Sequence, residues 1–523
     1  MSVARAHKFR RDLVHRRTSL HAACLVLLAL CFSSRAAAGC DQLAAGSSFW
    51  VRLNTPVSSF NAKPGTPVKG VLLESPECDG APTFPIKVAV EGKVLSVHRV
   101  GLGLRHETAA MEIVFSRVSL PDGNPIEING RVKLIDNARE AVRNGVIHGI
   151  RATDTPQGMI SSRLKYLPSI HLYPDAFLLG YKMLFPIFPE PEINLEAGTD
   201  VQVELAEAVN LPADLPAVPL IPRIEEGTDL NEKLASLPDR TYTRKGKQAD
   251  VIDIVFAGSR DDLEHAFAAA GWQQSRNPSG RTFFHTFYSY LSKTAYATAP
   301  MSAQFMEGRK PELTLEKVFQ SYEKRNHVRI WDLESTWQGS PLWASAAVRE
   351  TGATLSIRHG RFVHHVSQDL NEEQETIVRD LAAADCVDSV GWLTRPEMEP
   401  VLRNATGEFF RTNGSVEVIR VKRCGLDSSG AGLSNSRRYK PGSWAYRYLR
   451  KEILTVRSDL LRANCIYALF DLGWATVGTL RQSHSHRAIA AEFRQESKAA
   501  LDQGSASTDG DVLGRPGSSF SLY

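Results

Sequence analysis

Seven side chains in the second half of this chain are the ones best able to do chemistry: His327, Arg329, Trp331, Glu350, His364, His365 and Asp369. An imidazole oriented by a carboxylate suits general acid–base work, and histidines with carboxylates suit a metal ion. Convergence of His327 with His364 or His365 beside Glu350 would make the site of a hydrolase-like enzyme. The spacings that usually accompany such chemistry are missing, since no HExxH, GxSxG or P-loop pattern occurs. The same residues also fit a plain structural role. In His327-Val328-Arg329-Ile330-Trp331 polar and apolar positions alternate as in a half-buried strand, and an Asx residue followed by Glu is ordinary at a helix start. The structural role is the favoured expectation. His327, Arg329, Glu350, His364 and His365 remain the catalytic candidates, with no cofactor assigned.

The elements that must position these residues read as strands and helices in alternation. Residues 251–256, 328–331, 342–348, 362–366 and 416–421 are rich in β-formers. Ser259 is placed to cap a helix with Asp262 at the position that reaches back. Leu263, Ala266, Phe267 and Ala270 supply its i, i+3, i+4, i+7 apolar face, and Gly271 its stop. After Leu370 a second helix carries Ile377, Val378, Leu381 and Ala382 on one face, with Asp369 or Asn371 near its start. This alternation predicts an α+β domain with a mostly antiparallel sheet over 251–423.

The first half has a different texture. From 45 to 211 short β-rich runs such as 49–53, 67–73 and 86–90 are punctuated by Lys63-Pro64-Gly65 and Pro121-Asp122-Gly123, which predicts an all-β barrel or sandwich. Residues 212–250 turn proline-rich and then charged, as a linker does. Residues 424–495 read as a loop and a helical region, and 496–523 as a disordered tail.

Composition and the N-terminus bound the setting. Lys and Arg number 62 against 58 Asp and Glu, so no broad basic surface points to nucleic acid. Arg5, Lys8, Arg10, Arg11, Arg16 and Arg17 precede an apolar run over 22–32 and then Ala36, Ala37 and Ala38, the pattern of a secretory signal peptide cleaved after Ala38. The run is shorter than a spanning helix needs. Removal of 1–38 leaves Cys40, Cys78, Cys386, Cys424 and Cys465. That odd number leaves at least one unpaired, with Cys40 and Cys78 close enough in sequence to bridge. Lipidation at Cys40 is the lesser alternative.

Two stretches resemble known families. VIDIVFAGS, NHVRIW, PLWASAAV and FVHHVSQDLNEEQE, running from 251 to about 391, resemble the LssY-like C-terminal domain, a bacterial family without an established activity. The family's pattern after the histidine is close to H-x-I-D-P-x-I-D-x-E-R. Here Ser367 replaces its first acid, Asn371 the later one and Gln374 the arginine, while Glu373 remains, so an acid–base or metal site built on that pattern is weakened. LNTPVSSFNAKPGTPVKGVL, VEGKVLSV, FSRVSLPDGNPIEINGRV and EINLEAGTDVQVELAEAV, from 45 to 209, resemble the β-barrel of TrbI-type conjugation and type IV secretion proteins. That resemblance implies a part in an envelope-spanning assembly, with a helical insertion before the last strands able to enter the outer membrane. The comparable stretch here, 166–188, is interrupted by Pro168, Asp175, Lys182 and Pro186, which favours a buried or interfacial segment over a membrane insertion. Together these readings predict an exported, periplasmic or envelope protein that binds or scaffolds. Its expected partners are an envelope assembly and a membrane contact rather than nucleic acid.

Overall fold

The computed structural model describes residues 41–454, apart from several short stretches and two longer ones, 152–188 and 425–441. The signal peptide, Cys40, the apolar stretch 166–188, the Ser/Gly loop 428–442 except its last residue, the apolar run 465–480 and the C-terminal tail therefore lie outside the described residues.

The first half closes into a six-stranded antiparallel barrel. Its strands are β1 (Ser48–Leu53), β2 (Pro67–Glu74), β3 (Ala89–His98), β4 (Ala110–Ser119), β5 (Pro125–Ile135) and β6 (Asp200–Leu205). Their order is β4-β3-β2-β1-β6-β5, and pairing of β4 with β5 closes the ring. Period-2 patterning makes this possible, because Ile126, Ile128 and Val132, like Met111, Ile113 and Phe115, all turn inward. Glycines sit where strands crowd: a Cβ on Gly92 would come within 2.5 Å of the Val114 carbonyl oxygen, and one on Gly70 within 2.6 Å of that of Arg52. The strand expected over 86–90 begins instead at Ala89, because Lys87 has φ 68° and breaks the extended run.

Residues 212–250, expected as a linker, carry ordered elements from 228 onward. Helix α1 (Thr228–Leu234) buries Leu230 and Leu234, and strands β7 (Arg240–Thr243) and β8 (Gln248–Val251) follow. Proline and charge mark the start of this segment, but Leu230, Leu234 and Leu237 repeat at helical spacing and join the core beyond it. Segment 222–224 also runs along the edge of the next sheet, where Ile224 N–H donates to the Val390 carbonyl at 2.7 Å.

The second half is α+β, as its alternation predicted. Besides a short pair of strands at Val401–Arg403 and Phe409–Arg411, its remaining elements, in chain order, are β9 (Ile254–Ala257), α2 (Arg260–Ala269), β10 (Gln273–Gln274), α3 (Gly280–Ser292), β11 (Gln304–Phe305), β12 (Leu313–Val318), β13 (Arg325–Trp337), β14 (Ser340–Ser356), β15 (Arg361–Val366), α4 (Asn371–Ala383), β16 (Val387–Thr394) and β17 (Ser415–Val421). The main sheet runs β10-β12-β13-β14-β9-β17-β16, with β15 on the far end of β14; only the β9–β17 pairing is parallel. Helices α2 and α4 cover one face through Leu263, Phe267, Ile377 and Leu381, while α1 and the small sheet β8-β7-β11 lie toward the other, where Trp331, Ala344 and Val418 are buried. The expected cap is present, with Ser259 Oγ accepting from Asp262 N–H at 3.1 Å, and Gly271 ends the turn at φ 87°. No helix among the described residues is long and apolar enough to cross a membrane.

Candidate functional site

Strand β13 turns Arg325, His327, Arg329 and Trp331 to one face, since side chains alternate along a strand. The register sets His327 opposite Glu316 of β12, and Arg325 opposite Glu350 of β14. Arg325 Nε donates to Glu350 Oε2 at 2.6 Å and Nη1 to Glu316 Oε2 at 3.1 Å, and His327 Nδ1 lies 3.4 Å from Glu350 Oε1. His327 and Glu350, two of the expected partners, are thus neighbours. Both are buried, at 5% and 4% exposure, so solvent does not reach them freely. Burial pushes the Glu316 carboxyl up to about 8, with the Arg325 guanidinium opposing and Glu350 adding to the rise.

The other candidates belong elsewhere. Arg329 donates to Asp250 Oδ2 at 2.9 Å and to the Ser302 carbonyl at 3.1 Å, and Gln304 Nε2 reaches the same Asp250 oxygen at 2.6 Å. Trp331 donates through Nε1 to the Arg309 carbonyl. His365 pairs with Gly352, on the part of β14 beyond Glu350, and its exposed ring meets Glu408 Oε1 at 2.7 Å. His364 lies opposite Ala353 in the register, and its side chain is outside the described set. Asp369 accepts from the Asn371 N–H at 3.0 Å, a turn at the start of α4. Among the described residues no group of three or more His, Cys, Asp or Glu is arranged to hold a metal ion. A groove of about 450 Å³ opens beside β7 and β11, lined by residues including Arg240, Tyr242, Arg244 and Phe305, and none of the sequence candidates lines it.

A second lattice of buried charge, invisible to the sequence reading, joins the two halves. Asp380 of α4 accepts from Lys317 Nζ at 2.7 Å on both oxygens, from Arg52 Nη2 of the barrel at 2.9 Å and from Trp272 Nε1 at 3.0 Å. Arg52 also grips Asp200 at 2.7 and 2.8 Å. Burial opposes the charge on both partners, but Arg52 and Lys317 outweigh it at Asp200, whose carboxyl is held down at about 2. Nearby, barrel residue Asp136 takes Lys324 at 2.7 Å and Arg349 at 2.8 Å, and these cations likewise overcome burial to lower its pKa. Arg379 of α4 stacks over Trp50 with its guanidinium carbon 4.5 Å from the ring centre and meets Glu74 at 3.3 Å. These partners are scattered from 50 to 380, so local pattern offers no signal. The one hint is Trp50-Val51-Arg52-Leu53, which puts a cation inside an otherwise buried strand.

Behind α4 lie carboxylates whose burial outweighs any nearby cation. Glu417 is fully buried, one of its oxygens meets no hydrogen-bond donor among the described residues, and burial with the nearby Glu375 and Asp253 pushes its pKa up to about 8. Burial also holds the Asp253 and Glu373 carboxyls well above the usual range. The folded chain therefore keeps on Glu417 a proton that the unfolded chain, at about 4.5, has released. Its contribution is complete below about pH 4.5 and lost as pH rises toward 8, at up to about 1.4 kcal/mol per pH unit. Glu417→Gln is expected to flatten this fall and raise stability above neutrality. Urea unfolding at a series of pH values measures it, and an unchanged slope in the variant would contradict the assignment.

Cys386 and Cys424 form a disulfide that the sequence reading did not pair. Cys78 is also disulfide-bonded, and its expected partner Cys40 lies outside the described residues.

The solved structure titled "Structure of ComB10 of the Com Type IV secretion system of Helicobacter pylori" is similar at 12% identity, over 34% of this chain and 94% of that one, with a TM-score of 0.20. No curated protein matches the chain. Residues 234–416, which hold His327, Glu350 and Asp380, match the family model described as LssY C-terminus, so the second half of this chain carries an LssY C-terminal domain behind a β-barrel.

Proposed function

We propose that this is an exported envelope protein in which the barrel and the LssY C-terminal domain act together as a non-enzymatic binding or scaffold unit. The observation that carries the reading is that Arg325, Arg329 and Glu350 are engaged in buried ion pairs and hydrogen bonds and that His327 is buried with Nδ1 3.4 Å from Glu350, none of them lining the described groove. A hydrolase needs its base within reach of substrate. The hydrolase-like alternative rests on the 3.4 Å approach of His327 to Glu350, and burial of both weighs against it. Disulfides at Cys386–Cys424 and at Cys78 support an oxidising compartment, in keeping with the basic and apolar N-terminus. Interface charges from both halves support a single working body of two folding units, 45–211 and 251–423, the second extended by the ordered elements from 228 onward.

Intact-mass measurement of the protein from fractionated cells tests the proposal. The expected product begins after Ala38, fractionates with the periplasm or envelope, and carries no stoichiometric metal or tightly held small substrate. A full-length cytoplasmic chain would overturn export, and a metal bound through His327 and Glu350 would overturn the non-enzymatic assignment.

A further inference from the structure

The groove beside β7 and β11 holds a cation that the fold leaves without a counter-charge in contact. Arg240 lines it and is only 6% exposed, yet its hydrogen bonds go to neutral carbonyls: Nη2 donates to that of Arg403 at 2.6 Å and to that of Ala249. Its guanidinium carbon lies 5.3 Å from the Phe410 ring centre, and its Nε is buried with no acceptor at all. The protein's other buried arginines are treated differently, since Arg52, Arg325 and Arg329 each meet a carboxylate directly. Burial accordingly pushes Arg240 below the ordinary arginine pKa, with Asp250 opposing from beyond ion-pair distance. A buried donor left open in a folded protein marks a place where an outside group completes the bonding.

The walls say what kind of group. Tyr242 and Phe305 are direct partners across β7 and β11, so their rings stand on one face of the small sheet, and Tyr242 is 41% exposed. Exposed Arg244, in the turn between β7 and β8, and exposed Glu307, in the turn after β11, complete the rim. Among the described residues neither enters an ion pair or a side-chain hydrogen bond, with each other or with anything else. Two arginines against one carboxylate leave the lining with a single net positive charge. At about 450 Å³ the groove falls within the range of about 300–1,000 Å³ usual for small-molecule sites. We propose that it binds a small organic monoanion, a carboxylate carried on a flat aromatic body, with the ring on Tyr242 and Phe305 and the carboxylate at Arg240 and Arg244. Inorganic phosphate suits it less, because a second negative charge would face Glu307 and the aromatic walls would gain nothing. The inference goes beyond the scaffold assignment, which names no ligand.

The test is a ligand-observed NMR titration of the purified processed protein with naphthoate, its neutral isostere naphthamide, acetate and inorganic phosphate. Expected is reversible naphthoate binding that weakens as salt rises, with naphthamide held about tenfold more weakly for want of a charged acceptor. Acetate, which lacks the ring, and phosphate should bind more weakly still. Arg244→Gln should weaken naphthoate by about fivefold, while Glu307→Gln, which removes the opposing charge, should tighten it. Tyr242→Ser should weaken naphthoate and naphthamide alike, because it removes only a wall. All three side chains are exposed, so these variants should keep the unfolding midpoint of the unaltered protein. No binding of naphthoate, equal binding of naphthamide, or an affinity unmoved by Arg244→Gln would each overturn the proposal. Such a failure would leave the export and scaffold assignment standing, because the mass and fractionation measurements read a different property.

Discussion

Replacing Asp380 by Ala is expected to lower the unfolding free energy by about 3–5 kcal/mol, the usual cost of leaving buried partners without their counter-charge. Asp380 is fully buried and receives Lys317, Arg52 and Trp272, so its removal takes the close counter-charge from Lys317, leaves Arg52 with Asp200 alone and deprives an indole N–H of its acceptor. Asp380→Asn should lose nearly as much, because shape survives but charge does not. An exposed pair such as Lys69–Glu91, at 3.4 Å, supplies the contrast: breaking it should cost under about 1 kcal/mol. Denaturant titration measures both, and a loss below about 1 kcal/mol for Asp380→Ala would refute the central role of this lattice. Because Arg52 and Asp200 come from the barrel while Lys317 and Asp380 come from the LssY C-terminal domain, both halves should unfold in one transition. Acid should weaken the joint. Asp200, held at about 2 against an ordinary 3.8, contributes stability above the ordinary value that is lost as pH falls through the folded one.

Removal of the Cys386–Cys424 disulfide carries the second large effect. The bridge spans 38 residues, for which the chain-entropy relation gives about 4 kcal/mol. It extends the ladder of β16 and β17, whose register pairs Val387 with Val421, and its cysteines are buried under α2, where His265 Nε2 lies 3.1 Å from the Cys424 carbonyl oxygen. Cys386→Ala with Cys424→Ala should therefore lower the urea midpoint strongly, and dithiothreitol should do the same to the unaltered protein. An identical midpoint with and without reductant would show that the bridge adds nothing. A chain held in a reducing compartment would lack this constraint.

Local pattern carried much of the second half. Ser259 and Asp262 at capping distance, the apolar spacing of Leu263, Ala266, Phe267 and Ala270, and the alternation through His327 to Trp331 each report on neighbours within a turn or a strand, and each element formed as read. Segment 212–250 departs from the linker expectation because proline and charge dominate its composition, while the three leucines that pin α1 contribute only once a sheet exists to receive them. The candidate site was legible in part. His327 and Glu350 meet because β13 and β14 pair in the register that sets Arg325 against Glu350. His365 does not join them, since it lies across β14 from Gly352 and reaches Glu408.

By itself the sequence determined the two architectures, a strand-rich first half and an alternating second half, because hydrophobic period, caps and turns are local properties of the chain. Only the tertiary structure decided which charges face one another. Arg52, Asp136, Asp200, Lys317, Arg349 and Asp380 are brought together by closure of the barrel and the packing of α4 against it. The attraction of buried charges depends on distance and on exclusion of water, and neither exists until both halves have folded onto each other.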